Sequence, residues 1–560
     1  MFNALCIQLV VVMMCAVLCA SAPARAGERQ LSLNLWDWTG PCRDVEQFRA
    51  WAEDLKGAGF THVEISAAWR VLEPRPGEYD LSFIEQRWDI AKELGLKMRV
   101  RINSFYSDAT PRWLEVHRWV DRSGALAVGT PPVPSINDER FWARYGPLCT
   151  AIAERFRGEE LLYSPFIGVH AELKWSDWWT YDASSMAKWR DAIHARPRAL
   201  WLERVVGDAA LPEFPPVPGA TEGVPDVSAE SRAFIAFREQ CWREAVGRFV
   251  EALRAGDPEA QFSAPLGESY RRDSARMSNL DYYGLSRQAA EVVHSYDFYW
   301  HPKDPAWHAG AAVASFRGIT QLPVSFEYDG PALMRQFNWS AEQLAEIAAA
   351  ALAEGAGLKL ENYSYHAELP STYPLVQTFA RMIAAAPAVS DPPRQETVLL
   401  FLSKWANYCY REKTEWLHDA QLGAWRMLRE RGWPVRIVCE DNLSEDLSGY
   451  RAIYVAFSPP QLMPAADAQR LEELCATMPA VIELPVIPPV GHVDHVDHAE
   501  LGRIELTAKG LPVGPAGQEI LRRRNGKVIV GYPMAYVWLH GDDREAQQRV
   551  LQWCFSAAAE

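Results

Sequence analysis

The sequence predicts a (β/α)8 barrel followed by a doubly wound, flavodoxin-like α/β domain. Three observations carry this. Short apolar runs alternate with helical patterns from about residue 31 to 386, a Pro-rich break spans Pro387 to Gln395, and the alternation then resumes to the end of the chain. Eight strand–helix pairs in about 360 residues is the arithmetic of a closed parallel barrel. A further run of about 165 residues with the same alternation fits an open parallel sheet. The expected divisions are a signal segment 1–26, a barrel 27–386, a linker 387–395 and a second domain 396–560.

In chain order the barrel strands are expected at Leu31–Trp36, Thr61–Ser66, Leu96–Asn103, Pro165–Glu172, Ala260–Pro265, Val292–Tyr296, Leu322–Glu327 and Gly357–Tyr363. Each is short and apolar, bounded by turn residues or by helical periodicity. Helical patterns between them include Val45–Gly57, Phe83–Leu94, Phe141–Phe156, Ala229–Ala255 and Ala341–Glu354. The connection after the fourth strand is swollen. Residues 173–228 hold Trp175, Trp178, Trp179 and a Pro-rich piece from Pro212 to Pro225. Long loops on the carboxyl face of a barrel are where pockets are built.

The second domain reads as strands Thr397–Leu402, Val435–Cys439, Ala452–Phe457, Ala480–Leu484 and Lys527–Val530, with helices near Glu415–Arg431, Ala465–Thr477 and Arg544–Phe555. Leu402-Ser403-Lys404-Trp405 follows its first strand in place of a Gly-rich phosphate loop, so nucleotide binding is not expected there.

Composition narrows the function. With 57 basic against 72 acidic residues the net charge is −15, a poor match to a phosphate backbone, and no nucleic-acid partner is expected. The 23 Trp suit a protein that stacks the flat apolar faces of sugars. Leu9 to Leu18 is apolar and precedes Ala24-Arg25-Ala26, the pattern of a cleaved secretory signal. The expected location is secreted or periplasmic, without a later membrane span. Seven Cys remain after residue 26, an odd scattered set without C-x-x-C spacing, expected to be mostly buried thiols. His492-Val493-Asp494-His495-Val496-Asp497-His498 resembles a metal-binding tract. Pro488-Pro489 just upstream and its distance from the barrel strands favour a solvated loop, so no metal site and no cofactor are expected.

Period-two alternation sorts each barrel strand into helix-facing and barrel-facing sets. The inward polar residues are Asn34 with Trp36, Glu64 with Ser66, Arg99 with Arg101, His170 with Glu172, His294 with Tyr296, and Ser325 with Glu327. Glu361 on the eighth strand is a further candidate. Glutamates on strands four and seven are the raw material of glycoside hydrolysis: one carboxylic acid protonates the leaving oxygen while the other attacks the anomeric carbon. The competing explanation is that the buried glutamates only pair with Arg99 and Arg101. Trp36, Trp69, Trp113, Trp175 and Trp300 sit at strand ends or in loops where they could stack on a sugar ring, or serve only as lid packing.

Trp69-Arg70-Val71-Leu72-Glu73-Pro74, then Pro76-Gly77-Glu78-Tyr79-Asp80, resembles the W-x-x-x-E-P…G-x-Y-D stretch after the second strand of clan A glycoside hydrolases. Thr110-Pro111-Arg112-Trp113-Leu114 is similar to the T-P-x-W-L after strand three of the family forty-two β-galactosidases, and His294-Ser295-Tyr296 to the clan's sixth strand. The resemblance covers about residues 31–560, although that family's small C-terminal β domain has no counterpart. It implies a retaining exo-β-glycosidase acting on an oligo- or polysaccharide, with Glu172 as acid/base and Glu327 as nucleophile. Arg101, His170, His294 and Tyr296 are expected to form a supporting shell, and the resemblance implies trimers assembled through the second domain. One departure matters: Ala171 stands where the clan has an Asn that binds the sugar 2-hydroxyl. Ala171-Glu172-Leu173-Lys174-Trp175 also resembles the E-L-R-Y segment of the inverting β-amylases, a second reading. A catalytically inactive carbohydrate-binding barrel is a third.

Overall fold

The computed structural model describes residues 30–36, 44–104, 109–126, 133–167, 173, 180–218, 225–267, 281–294, 305–328, 339–361, 369, 371, 374–386, 389, 391–410, 415–483, 495–498, 502–505, 521–524, 527–530, 534–535, 538 and 544–559. The expected signal segment lies outside them.

Eight parallel strands close on themselves in chain order: β1 (Leu31–Trp36), β2 (His62–Ala68), β3 (Lys97–Asn103), β4 (Leu161–Phe166), β5 (Gln261–Leu266), β6 (Glu291–His294), β7 (Val324–Tyr328) and β8 (Gly357–Glu361). Closure is made where Leu31–Asn34 of β1 pairs with Leu358–Glu361 of β8. The helix-facing residues are apolar and fully buried, as with Val63, Ile65 and Ala67 of β2. On β7, Phe326 meets Tyr328, and Tyr328 meets Phe379 of the helix Pro374–Ala385. Helix starts follow local chemistry. Asp44, Asp182, Ser228 and Ser340 each accept a backbone N–H of the first helical turn.

One boundary departs from the sequence pattern. The fourth strand, expected at Pro165–Glu172, is Leu161–Phe166. Its apolar run starts just after the Gly158 turn, and Pro165 lies inside the strand instead of opening it. Beyond it, Leu173 donates its backbone N–H to the Pro265 carbonyl near the end of β5 at 2.7 Å. This ties Leu173 to the barrel's carboxyl face.

The strands of the second domain are β9 (Val398–Leu402), β10 (Val435–Val438), β11 (Ala452–Ala456), β12 (Ala480–Glu483), β13 (His495–His498), β14 (Gly502–Glu505), β15 (Leu521–Arg524) and β16 (Lys527–Val530). Six of them form one sheet in the order β10-β9-β11-β12-β16-β15. Its first five strands in that order are parallel, and their order is that of a flavodoxin-like sheet. β15 joins antiparallel at the edge. Residues 495–498, expected in a loop, form β13 and pair antiparallel with β14. The six described cysteines, Cys149, Cys241, Cys409, Cys439, Cys475 and Cys554, are buried free thiols.

The carboxyl end of β9, where a doubly wound sheet usually takes its ligand, is filled by the barrel itself. Lys404 Nζ lies 2.7 Å from Asp441 Oδ2 and 3.2 Å from Glu239 Oε1 of the long barrel helix Ala229–Gly256, while Tyr408 donates to Glu239 at 2.7 Å. Burial alone would lower the Lys404 pKa, but Asp441, Glu239 and Asp281 outweigh it and hold it well above the ordinary value.

The two domains approach closely at the helix Pro305–Thr320. A Cβ at Gly318 would stand 2.3 Å from the Ile437 carbonyl oxygen of β10, and one at Gly310 would stand 2.8 Å from the Trp425 ring. Alanine is worth roughly 1 kcal/mol more than glycine in a helix, whereas overpacking costs about 1–3 kcal/mol and backbone atoms cannot rotate away. Gly318→Ala is therefore expected to lower the thermal unfolding midpoint. Gly247→Ala, with nothing within 4 Å of the added carbon, is expected to raise it or leave it unchanged. Calorimetry of both variants checks the sign at each position.

Candidate active site

The barrel interior is ionic where Val, Ile and Leu layers would be usual. Glu64 of β2 sits at the centre. Arg99 Nη1 donates to its Oε2 at 2.7 Å, Lys359 Nζ lies 2.8 Å from its Oε1, and Arg101 pairs with the same Oε1. Toward the amino end of the strands, Arg99 also pairs with Glu291, the first residue of β6, whose other oxygen accepts from Gln30 at 2.6 Å. Toward the carboxyl end, Arg101 Nη2 donates to Glu327 Oε2 at 3.0 Å, and Lys359 pairs with that same oxygen. Among the described residues, three cations therefore meet three carboxylates across β2, β3, β6, β7 and β8, all at most 5% exposed at the side chain.

Register explains how the sequence assembles this cluster. Glu64 is level with Arg99, Ser66 with Arg101, and Glu327 with Lys359, so alternate residues of neighbouring strands point into one space. Burial on its own would raise the Glu64 pKa; Arg101, Lys359 and Arg99 overcome it and bring the group down to about 2. Glu291 is likewise lowered, its burial outweighed chiefly by Arg99. His62, at the amino end, is lowered to about 4 by burial and by Arg99, and stays neutral. The hydroxyls of Ser66 and Ser325 are buried and make no hydrogen bond among the described residues.

Of the residues expected in the site, the structure brings Arg101 and Glu327 together. Asn34 and Trp36 lie on β1, His294 on β6 and Glu361 on β8. The side chains of these four, and residues His170, Glu172, Trp175, Tyr296 and Trp300 entirely, lie outside what the structure describes. Asn34 is level with both Glu64 and Glu361. β6 departs from expectation at its start. The strand begins one residue earlier, at Glu291, whose carboxylate reaches Arg99 inside the barrel.

Trp69, expected to meet substrate, is a core residue. It is fully buried, its indole meets Trp113, Phe141 and Tyr145 at centroid distances of 6.1, 5.8 and 5.3 Å, and its N–H donates to Glu73 at 2.6 Å. Glu73 also accepts from the Gly77 N–H at 2.7 Å, so the W-x-x-x-E-P…G stretch is a device that folds the loop after β2. Thr110 acts similarly after β3, donating to the Ser104 carbonyl at 2.8 Å. Trp113 is only partly buried.

The sequence pattern does not single out Lys359 or Glu291. For Lys359 a signal exists: Gly357-Leu358-Lys359-Leu360-Glu361 alternates, which puts Lys359 in the same set as the candidate Glu361. Glu291 lies one residue outside the expected strand, so only the partner Arg99 reveals it.

Fold and site together define a class: a (β/α)8 barrel with a buried cluster of carboxylates and cations on its inner strands, followed by a doubly wound α/β domain. Solved structures of this architecture include the β-galactosidase of the psychrophilic Marinomonas ef1, with a TM-score of 0.65 and 13% identity over 94% of this chain and 91% of that one. A β-galactosidase from the Antarctic haloarchaeon Halorubrum lacusprofundi gives 0.64 and 15% over 94% and 90%. A GH42 β-galactosidase from G. stearothermophilus, in the form of a catalytic mutant, gives 0.61 and 13% over 90% and 79%. At these identities the likeness establishes a shared fold, and it is the fold that the resemblance to family forty-two implies. No protein-family profile and no curated protein matches the sequence.

The lowered pKa of Glu64 has a consequence for stability. A carboxylate depressed in the folded state contributes stability that is present above its ordinary value near 4.5 and is lost as pH falls through about 2. Glu64→Gln leaves the three cations short of one buried partner, so it is expected to cost about 3–5 kcal/mol at neutral pH. It should also flatten the loss of stability across that acid window. Denaturant titrations at several pH values read both effects.

Proposed function

We propose that this chain is an exported, retaining β-glycosidase that acts from the chain end of an oligo- or polysaccharide, with Glu327 as nucleophile and Glu172 as acid/base. The observation that carries the reading is Glu327: a carboxylate near the carboxyl end of β7, 4% exposed, with Arg101 and Lys359 on one oxygen. Replacing buried ion pairs with apolar residues is often neutral or stabilising, so stability alone does not account for so many charges at the heart of a barrel. The fold shared with β-galactosidases supports the same reading, as does the apolar N-terminal run for export.

In this mechanism Glu172 protonates the glycosidic oxygen while Glu327 attacks the anomeric carbon. Water, deprotonated by Glu172, then displaces Glu327. The chemistry needs no cofactor. Ala171 removes the amide that the clan aims at the sugar 2-hydroxyl, so the sugar accepted is expected to differ in its demand at that position. His170 is the neighbouring group able to take over.

A panel of aryl β-glycosides (galactoside, glucoside, mannoside, xyloside, fucoside, glucuronide) tests the proposal. Turnover of at least one is expected, abolished in Glu327→Ala. Glu172→Ala is expected to spare substrates with good leaving groups relative to poor ones. Wild-type activity in both variants would overturn the assignment, and sugar binding without hydrolysis by the unaltered protein would favour an inactive carbohydrate-binding barrel.

A further inference from the structure

We infer that Lys359 is a positioning cation for the second half of the reaction, receiving the Glu327 carboxylate as it leaves the sugar. This rests on the reading of Glu327 as nucleophile. Lys359 is the third residue of β8, has a fully buried side chain, and is level with Glu327 in the register. Its ammonium bridges Glu64 and Glu327, and it shares Glu327 Oε2 with Arg101.

Charge counting gives the reason. Within the described cluster of the free protein, Arg99, Arg101 and Lys359 balance Glu64, Glu291 and Glu327. When Glu327 becomes a glycosyl ester it loses its negative charge, and this cluster then holds three cations against two carboxylates. The excess lies beside the ester, on Lys359 and Arg101. Hydrolysis restores the balance: water forms its bond to the anomeric carbon, and its proton passes to Glu172. The bond from that carbon to Glu327 breaks, and its electron pair returns to the carboxylate that Lys359 and Arg101 hold. The same cations oppose ester formation, so Lys359 shifts the balance between the two half-reactions toward release. It also favours the ionised nucleophile at low pH, together with Arg101 on β3 and against Glu64 on β2. Arg99 and Glu291 act one layer further away.

The test uses the dinitrophenyl β-glycoside of the sugar that the panel identifies, and its fluorosugar trapping analogue. Lys359→Met is expected to lower kcat and KM together, lengthen the lifetime of the trapped ester at least about tenfold, and move the acidic limb of kcat/KM upward by about 1 pH unit or more. Lys359→Arg should restore much of the wild-type behaviour. Because Lys359→Met leaves Glu64 short of a partner and so threatens folding, Lys359→Gln is made as well; its neutral amide can still donate to the carboxylates while the charge is gone, and it should show the same three changes. An unchanged ester lifetime and acidic limb in whichever of these variants folds would overturn the role of Lys359. If Glu327→Ala retains turnover, it is the assignment of the nucleophile that fails.

Discussion

Glu64 is the constraint on which the barrel interior depends. One carboxylate engages Arg99, Arg101 and Lys359, and these in turn reach Glu291 at the amino end and Glu327 at the carboxyl end. Removing ions from water costs several kcal/mol each, and the cost is met only where every charge finds a partner of opposite sign. The cluster satisfies this by joining five strands, so the position of Glu327 is set by the closed sheet and not by a loop. A carboxylate fixed on rigid strands meets the geometric demand of displacement at carbon better than one carried by a mobile segment.

The rest of the molecule keeps that sheet in place. Glu73 folds the loop after β2, and Thr110 is tied to Ser104 at the end of β3. The second domain closes tightly on the helix Pro305–Thr320, which follows β6, with glycine at points of close approach. Its own ligand crevice is occupied by Lys404 and the acids of the interface.

Much of this is legible in the sequence because strand parity is a local property. Glu64, Arg99, Arg101 and Glu327 alternate with apolar residues, so their inward direction follows from period two alone. Where strands begin is less local. The end of the preceding helix decides the start of β4, and the reach of Arg99 decides that Glu291 belongs to β6. Trp69 shows a different limit. Its neighbours Phe141 and Tyr145 come from the helix Glu139–Arg155, distant in sequence, and nothing near Trp69 tells a ligand-stacking indole from a packed one. A lysine between leucines, as Lys359 is, carries no chemistry until the register sets it beside a glutamate.

The most direct measurement is identification of the residue that carries the sugar during turnover. The protein is incubated with the fluorosugar analogue, digested, and the labelled peptide sequenced by mass spectrometry. The account predicts a single ester on Glu327. A label on any other carboxylate, or turnover of the aryl glycoside with no trapped ester at all, would contradict it.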